Sequence, residues 1–268
     1  MATVGFEFVD AAVIVVRAGA RAAASPGVAL LTPGEPLIGP EAVAAARLQP
    51  VFASDRFWSD LAADSMAGAA GNAWSHADLA RAHLAGLWRD CAEAGDDAAF
   101  ALPGSMRLHQ AGLLLGIARH VGIPVAGVVD SAVAACAGLA ARPVVLHLDI
   151  QLHQAVLTRM EGESLLRRTR VEIAPRAGLK AMYGAWAQLV SEAMVRRTRF
   201  DPLHQAASEQ QLYGRLPEWL AALAGRDTVD AAVEGEAGSF SAPLRREQFT
   251  LDDLAWIAEF VGVEYNLV

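Results

Sequence analysis

Apolar and polar positions alternate with period two in two stretches of this chain. These are "VGFEFVDAAVIVV" (4–16) and "VVLHLDIQLHQAVLT" (144–158), and each carries one acid inside an apolar run. Period two predicts strands. When Glu7 is laid on Asp149, Phe6 meets Leu148, Phe8 meets Ile150 and Ile14-Val15 meets Val156-Leu157, at an offset of 142 residues. An offset of about half the chain suggests a duplicated α/β domain, with halves at 1–142 and 143–268 and a boundary near Arg142-Pro143. Within the second stretch, Leu148, Ile150 and Leu152 share one face while His147, Asp149, Gln151 and His153 share the other. That pattern reads as one half-exposed strand running through residue 153.

Between these openings the pattern changes to helical spacing and back. "SPGVALLTPGEPLIG" (25–39) predicts two short strands around a Pro-Gly turn. "SHADLARAHLAGLWRDCAEAG" (75–95) predicts a helix with Ser75 as N-cap and Asp78 three residues on. A strand over 98–103, a capped helix over 105–122, a buried strand over 123–130 and a small-residue helix over 131–141 capped by Ser131 follow. Such alternation predicts a mostly parallel sheet covered on both faces. The second half predicts helices over 178–198, over 203–225 with a break near Pro217, and over 250–262, with a hairpin over 228–244. "DSMAGAAGNAWSH" (64–76) reads as a mobile loop.

Composition excludes several chemistries. The chain is 268 residues long, 54% hydrophobic and 19% charged, which suffices for one large core or two modest ones. A net charge of -8 argues against general nucleic-acid binding. No run is long enough to span a membrane, and "MATVGFEFVD" has neither a basic region nor a cleavage site, so the chain is read as cytoplasmic. Of 22 cations 21 are arginine, so any P-loop or Schiff-base chemistry would have to use Lys180, placed here in the first turns of a helix. Cys91 and Cys136 predict neither a disulfide framework nor a thiolate zinc site. G-x-S-x-G, H-E-x-x-H, C-x-x-C and G-x-G-x-x-G do not occur.

In order of elements the chain resembles the ATPase domain of DnaK-type heat-shock chaperones, and through it the actin and sugar-kinase superfamily. The likeness is carried by "VGFEFVDAAVIVV", by "GEPLIG" at 34–39, by "LPGSMRLHQAGLLLGIARHVGIPVAGVVDSAVAACAG" (102–138), by "HLDIQLHQAVLT" and by "FSAPLRREQFTLDDL" (240–254). It implies a two-domain actin-like, ribonuclease-H-like duplicated α/β fold with mixed sheets flanked by helices. It also implies a nucleotide cleft. At the first phosphate loop the family's Asp, Gly and two Thr correspond to Glu7, Val9, Asp10 and Ala11, and at the second the acid Asp149 is followed by Gln151, Leu152 and His153 in place of glycines. Side chains there obstruct a phosphate, and a carboxylate at Asp10 repels one. The family's catalytic Lys has no counterpart in "VFASDRFW" (51–58), and its adenosine-pocket glycine pair has none in the second half.

The expected function is therefore a non-catalytic or weakly nucleotide-binding scaffold with a protein partner and no nucleic acid. The alternative is a divergent ATPase holding Mg²⁺ and its water with Asp130 and Asp149, the candidate catalytic and metal residues; a small-molecule kinase is a third reading. If the nucleotide site survives, ATP or ADP with Mg²⁺ would contact Glu7, Asp10, Asp149, Gln151 and His153. Glu7, Asp10, Asp130 and Asp149 could also converge as a carboxylate cluster. Read without the family, His147, Asp149 and His153 on one strand face offer a metal site, set against an ordinary half-exposed strand. "VRRTRFDPLHQAASEQQLYGRLPEWL" (195–220) offers an arginine and aromatic interface, or a helix pair with its aromatics turned inward.

Overall fold

A computed structural model describes residues 2–32, 34–64, 74–139, 144–162 and 165–249. The chain forms two compact units, Met1–Leu179 and Lys180–Val268. The first opens with an antiparallel meander of β1 (Thr3–Val9), β2 (Ala12–Arg17) and β3 (Ala20–Pro26). The short strands β4 (Ala29–Leu30) and β5 (Leu37–Ile38) pair antiparallel, followed by α1 (Pro40–Ala45) and β6 (Ala53–Ser54). Then come α2 (His76–Cys91), β7 (Asp97–Leu102), α3 (Leu108–Val121), β8 (Val125–Asp130) and α4 (Ser131–Cys136). A second antiparallel meander, β9 (Val144–Ile150), β10 (Gln154–Glu161) and β11 (Arg167–Pro175), completes the unit.

The main sheet runs β3-β2-β1-β7-β8, with β7 parallel to β1 and β8 parallel to β7. Alternation in β1, β2 and β7 sends Val4, Phe6, Phe8, Val13, Val15, Ala98, Phe100 and Leu102 into one core. α2 and α3 cover that face with Leu79, Leu84, Leu114 and Ile117. α2 starts where the capping signal places it: Ser75 Oγ accepts the Asp78 N–H at 3.1 Å, and the Asp78 carboxylate accepts the Ser75 N–H at 3.0 Å.

Five expectations are corrected. β8 is not buried but forms an exposed edge, with Val128 50% and Val129 39% accessible. α3 begins at Leu108 rather than Ser105, and Gln110 Oε1 accepts the Arg107 N–H at 2.9 Å. α4 is capped by Asp130 rather than Ser131. The strand predicted through 153 ends at Ile150, and residues 151–153 form the β9-β10 loop. No break occurs at Pro217, which lies inside a continuous α6 (Ala206–Gly225) that follows α5 (Leu179–Thr198).

The second unit packs α5 and α6 with the hairpin β12 (Thr228–Gly235) and β13 (Gly238–Arg245). Its core holds Met194, Leu212, Leu216, Trp219, Val233 and Leu244. Phe200 stacks on Phe240 at 4.2 Å, Arg215 lies over Trp219 at 5.4 Å, and Tyr213 packs against the same core. The aromatics of the 195–220 run thus face inward. The loop predicted over 64–76 and the helix over 250–262 fall largely or wholly outside the described residues. Among the described residues no helix is long and apolar enough to cross a membrane.

Candidate functional site

Alternation in β1 turns Glu7 away from the aromatic core, so this carboxylate is half-buried on the other face of the sheet. Burial raises its pKa first and the nearby Asp149 carboxylate raises it further, while His147 opposes them. Three residues on, Asp10 lies in the β1-β2 turn and is only 5% exposed. Its carboxylate accepts the N–H of Leu152 at 2.5 Å and of His153 at 3.3 Å. Burial raises the Asp10 pKa most; the two amide donors and His153 pull it back, and Asp149 adds to the rise.

Two close approaches hold this arrangement. A Cβ on Gly27 would overlap the Asp10 carbonyl oxygen, so only glycine lets the strand after β3 pass the β1-β2 turn. A Cβ on Gly178 would lie 2.6 Å from Gln151 O in the β9-β10 loop and 2.5 Å from Gln154 N at the start of β10, both backbone atoms. Gly178→Ala is expected to destabilise the protein by about 2 kcal/mol, because the crowded atoms cannot rotate away. Urea unfolding checks it; unchanged stability would show that the loop yields.

The rest of the loop is tied down in detail. Gln151, 2% exposed, donates from Nε2 to Asp149 Oδ2 at 2.8 Å and accepts at Oε1 from Gln154 Nε2 at 2.8 Å and Ser105 Oγ at 3.4 Å. His153 Nε2 lies 3.0 Å from the Asp55 carbonyl oxygen and 3.3 Å from Asp55 Oδ1. Both are acceptors, so Nε2 carries the proton. Burial alone would lower the His153 pKa, but the Asp55 bonds outweigh it and the net shift is upward.

Asp130 serves a different purpose. One oxygen accepts the N–H of Ala132 at 3.0 Å and of Val133 at 3.3 Å, and the other accepts from Arg168 Nη1 at 2.5 Å. It is a helix cap with an arginine partner. Glu7 and Asp10 each lie near enough to Asp149 to feel its charge, whereas the Asp130 oxygens are engaged by the α4 amides and Arg168. His147 Nδ1 is buried without a hydrogen-bond partner. Among the described residues no group of three or more His, Cys, Asp or Glu side chains is placed to hold a metal ion.

No family model matches this chain, and no curated protein resembles it significantly. Elsewhere in the first unit, His83 Nε2 lies 2.7 Å from Ser25 Oγ. In a nucleophilic pair the imidazole nitrogen facing the hydroxyl must accept its proton. Here Trp58 Nε1 donates to His83 Nδ1 at 3.1 Å, so Nε2 carries the hydrogen and donates to Ser25. Ser25 is not activated. A groove of about 590 Å³ lined by Trp88, Asp96, Asp97, Pro124 and Val125, among others, includes none of the loop residues.

Sequence reasoning placed Glu7, Asp10, Asp149, Gln151 and His153 in one neighbourhood, and the structure brings them together. It did not find Asp55, Ser105, Gly27 or Gly178. Glycine before a helix is a common start signal, and nothing in "RAGLK" marks Gly178 as a contact for a loop more than 20 residues away.

Proposed function

We propose that this chain is a binding or scaffold module on a shortened, duplicated fold of the DnaK and actin kind, with its nucleotide loops closed to ordinary ATP hydrolysis. The observation that carries this reading is the seat of the Asp10 carboxylate on the adjacent N–H groups of Leu152 and His153. Two successive amides aimed at one anion form a nest of the kind that holds phosphates. Here the anion is a side chain of the same chain, tethered at high effective concentration. A phosphate would have to displace it and then lie against it, with like charges in a poorly solvated site.

The strand order supports the duplicated fold. β1, β2 and β3 form one antiparallel meander and β9, β10 and β11 another. Positions at the 142-residue offset also meet: Asp10 bonds Leu152, and Glu7 and Asp149 feel each other's charge. Near a two-fold axis each residue adjoins its own counterpart, so a two-fold relation between the β1-β2-β3 and β9-β10-β11 meanders accounts for both pairs. The divergent-ATPase reading needs Asp130 free for a metal-bound water, and its oxygens are engaged by the α4 amides and Arg168.

Thermal unfolding with millimolar ATP or ADP and Mg²⁺ tests the proposal. Ligand at a hundred times its Kd stabilises the native state by about 2.7 kcal/mol, a rise of several degrees. The expected result is no rise. A rise in the wild type that disappears in Asp149→Ala would overturn the scaffold reading and establish a working nucleotide site.

A further inference from the structure

We infer that the outer edge of β11 docks an extended acidic segment of a partner protein, added as a fourth strand to the β11-β10-β9 sheet. This deepens the binding-module reading and rests on it. β11 is the last strand of its sheet, and among the described residues its ladder runs only to β10. Its first four residues, Arg167, Arg168, Thr169 and Arg170, are all exposed. An unpaired edge is a template for an incoming strand.

The register selects the charge of that strand. Arg170 stands opposite Arg159 and Arg167 opposite Glu161, with a register shift between Arg159 and Met160. Directly opposed residues share a face, and Arg159 and Glu161 share one by alternation. Arg159, Arg167 and Arg170 therefore lie on the same face. Without the shift, Arg167 and Arg170 would point to opposite faces, so the bulge gathers the cations. The same face carries Glu161, 2.9 Å from Arg159, and Glu172, which pairs with Arg170. Arg168 lies on the other face, held by Asp130.

Arginines directly opposite each other destabilise a sheet, and this chain, at net charge -8, has acids to spare. A second copy paired antiparallel over residues 167–170 would set Arg167 against Arg170, which disfavours self-association in that register. A strand with glutamate at every second position meets the arginine face instead, while its backbone completes the open ladder.

The test uses the full chain and a fluorescein-labelled nine-residue peptide alternating glutamate with valine, followed by anisotropy and amide exchange. The expected result is binding that weakens with added salt and slows exchange at residues 167–171. Arg167→Glu and Arg170→Glu, each an exposed substitution, should each weaken binding about tenfold. A peptide with proline in place of the valines, which cannot donate to the edge, should bind at least tenfold more weakly. Absence of binding, or binding indifferent to the arginine substitutions, overturns the inference. Equal binding of the proline peptide also overturns it, since that is charge capture without strand addition. None of these failures bears on the nucleotide experiment, which tests the scaffold reading by itself.

Discussion

Replacing Phe8 by alanine is expected to destabilise the first unit by about 4 kcal/mol. Phe8 is 2% exposed, and its ring lies 5.0 Å from Phe100, 5.1 Å from Trp58 and 6.2 Å from Phe6, centroid to centroid. Truncation removes the transfer energy of a whole ring and leaves a void walled by other rings. Those rings are held by β1, β7 and the segment before α2, so they cannot collapse into it. Asp10 follows two residues on, in the turn that β1 leads into, so a loosened β1 should also weaken the hold of that carboxylate on the β9-β10 loop. Urea unfolding checks the magnitude, and the melting temperature should fall by about 10 °C. Ile173→Ala, at a side chain 43% exposed, is the control and should cost less than about 1 kcal/mol. Equal losses at the two positions would show that the aromatic cluster is not the centre of the core.

Much of the first unit is legible in the sequence wherever burial imposes a period. β1, β2 and β7 alternate because one face meets helices, and α2 announces itself through Ser75, Asp78 and the apolar stripe of Leu79, Leu84 and Leu87. β3 and β11 escaped detection for complementary reasons. "ARAAASP" has no β-branched or aromatic residue, and it is a strand because β2 offers it a ladder. "RRTRVEIAP" is an edge strand exposed through its first four residues, so no face imposes alternation. β8 was misjudged in the opposite sense, since its apolar run looked interior and is an edge.

The loop at 151–153 shows the limit most clearly. Nothing local stops the strand, because Gln151, Leu152 and His153 continue the alternation and contain no turn-forming residue. The chain turns there because distant groups hold it: Asp10 takes two of its amides, Asp55 takes the His153 ring, and the Leu179 N–H donates to Gln151 O at 2.9 Å. Asp130 illustrates the same point for chemistry. Asp-Ser offers two capping residues in succession, and which of them caps α4 depends on where β8 ends. A carboxylate's role follows from the partner that reaches it, here Arg168, 38 residues away.

Acidification from pH 7 to pH 4 is expected to remove about 3 kcal/mol of stability through His83 alone. Its ring is 4% exposed, between Trp58 and Ser25, and burial lowers its pKa from 6.5 to about 4. The unfolded chain takes up a proton near 6.5 while the folded chain resists until about 4. The stabilisation is thus complete above pH 6.5 and is lost as the pH falls toward 4. Protonation in place would set a second N–H against the Trp58 donor, since His83 Nδ1 accepts from Trp58 Nε1 at 3.1 Å. Glu7 and Asp10 act in the opposite direction: their folded pKa values are raised, so folding is helped as they take up protons. The wild-type curve is therefore composite, and the comparison must isolate His83. Glutamine can accept from Trp58 and donate to Ser25 but does not titrate. The stability gap between wild type and His83→Gln, measured by urea unfolding, should shift by about 3 kcal/mol in favour of the variant between pH 7 and pH 4. A gap independent of pH would mean that the folded protein takes up the His83 proton as readily as the unfolded chain, so the buried Trp58-His83-Ser25 arrangement would have to open on protonation.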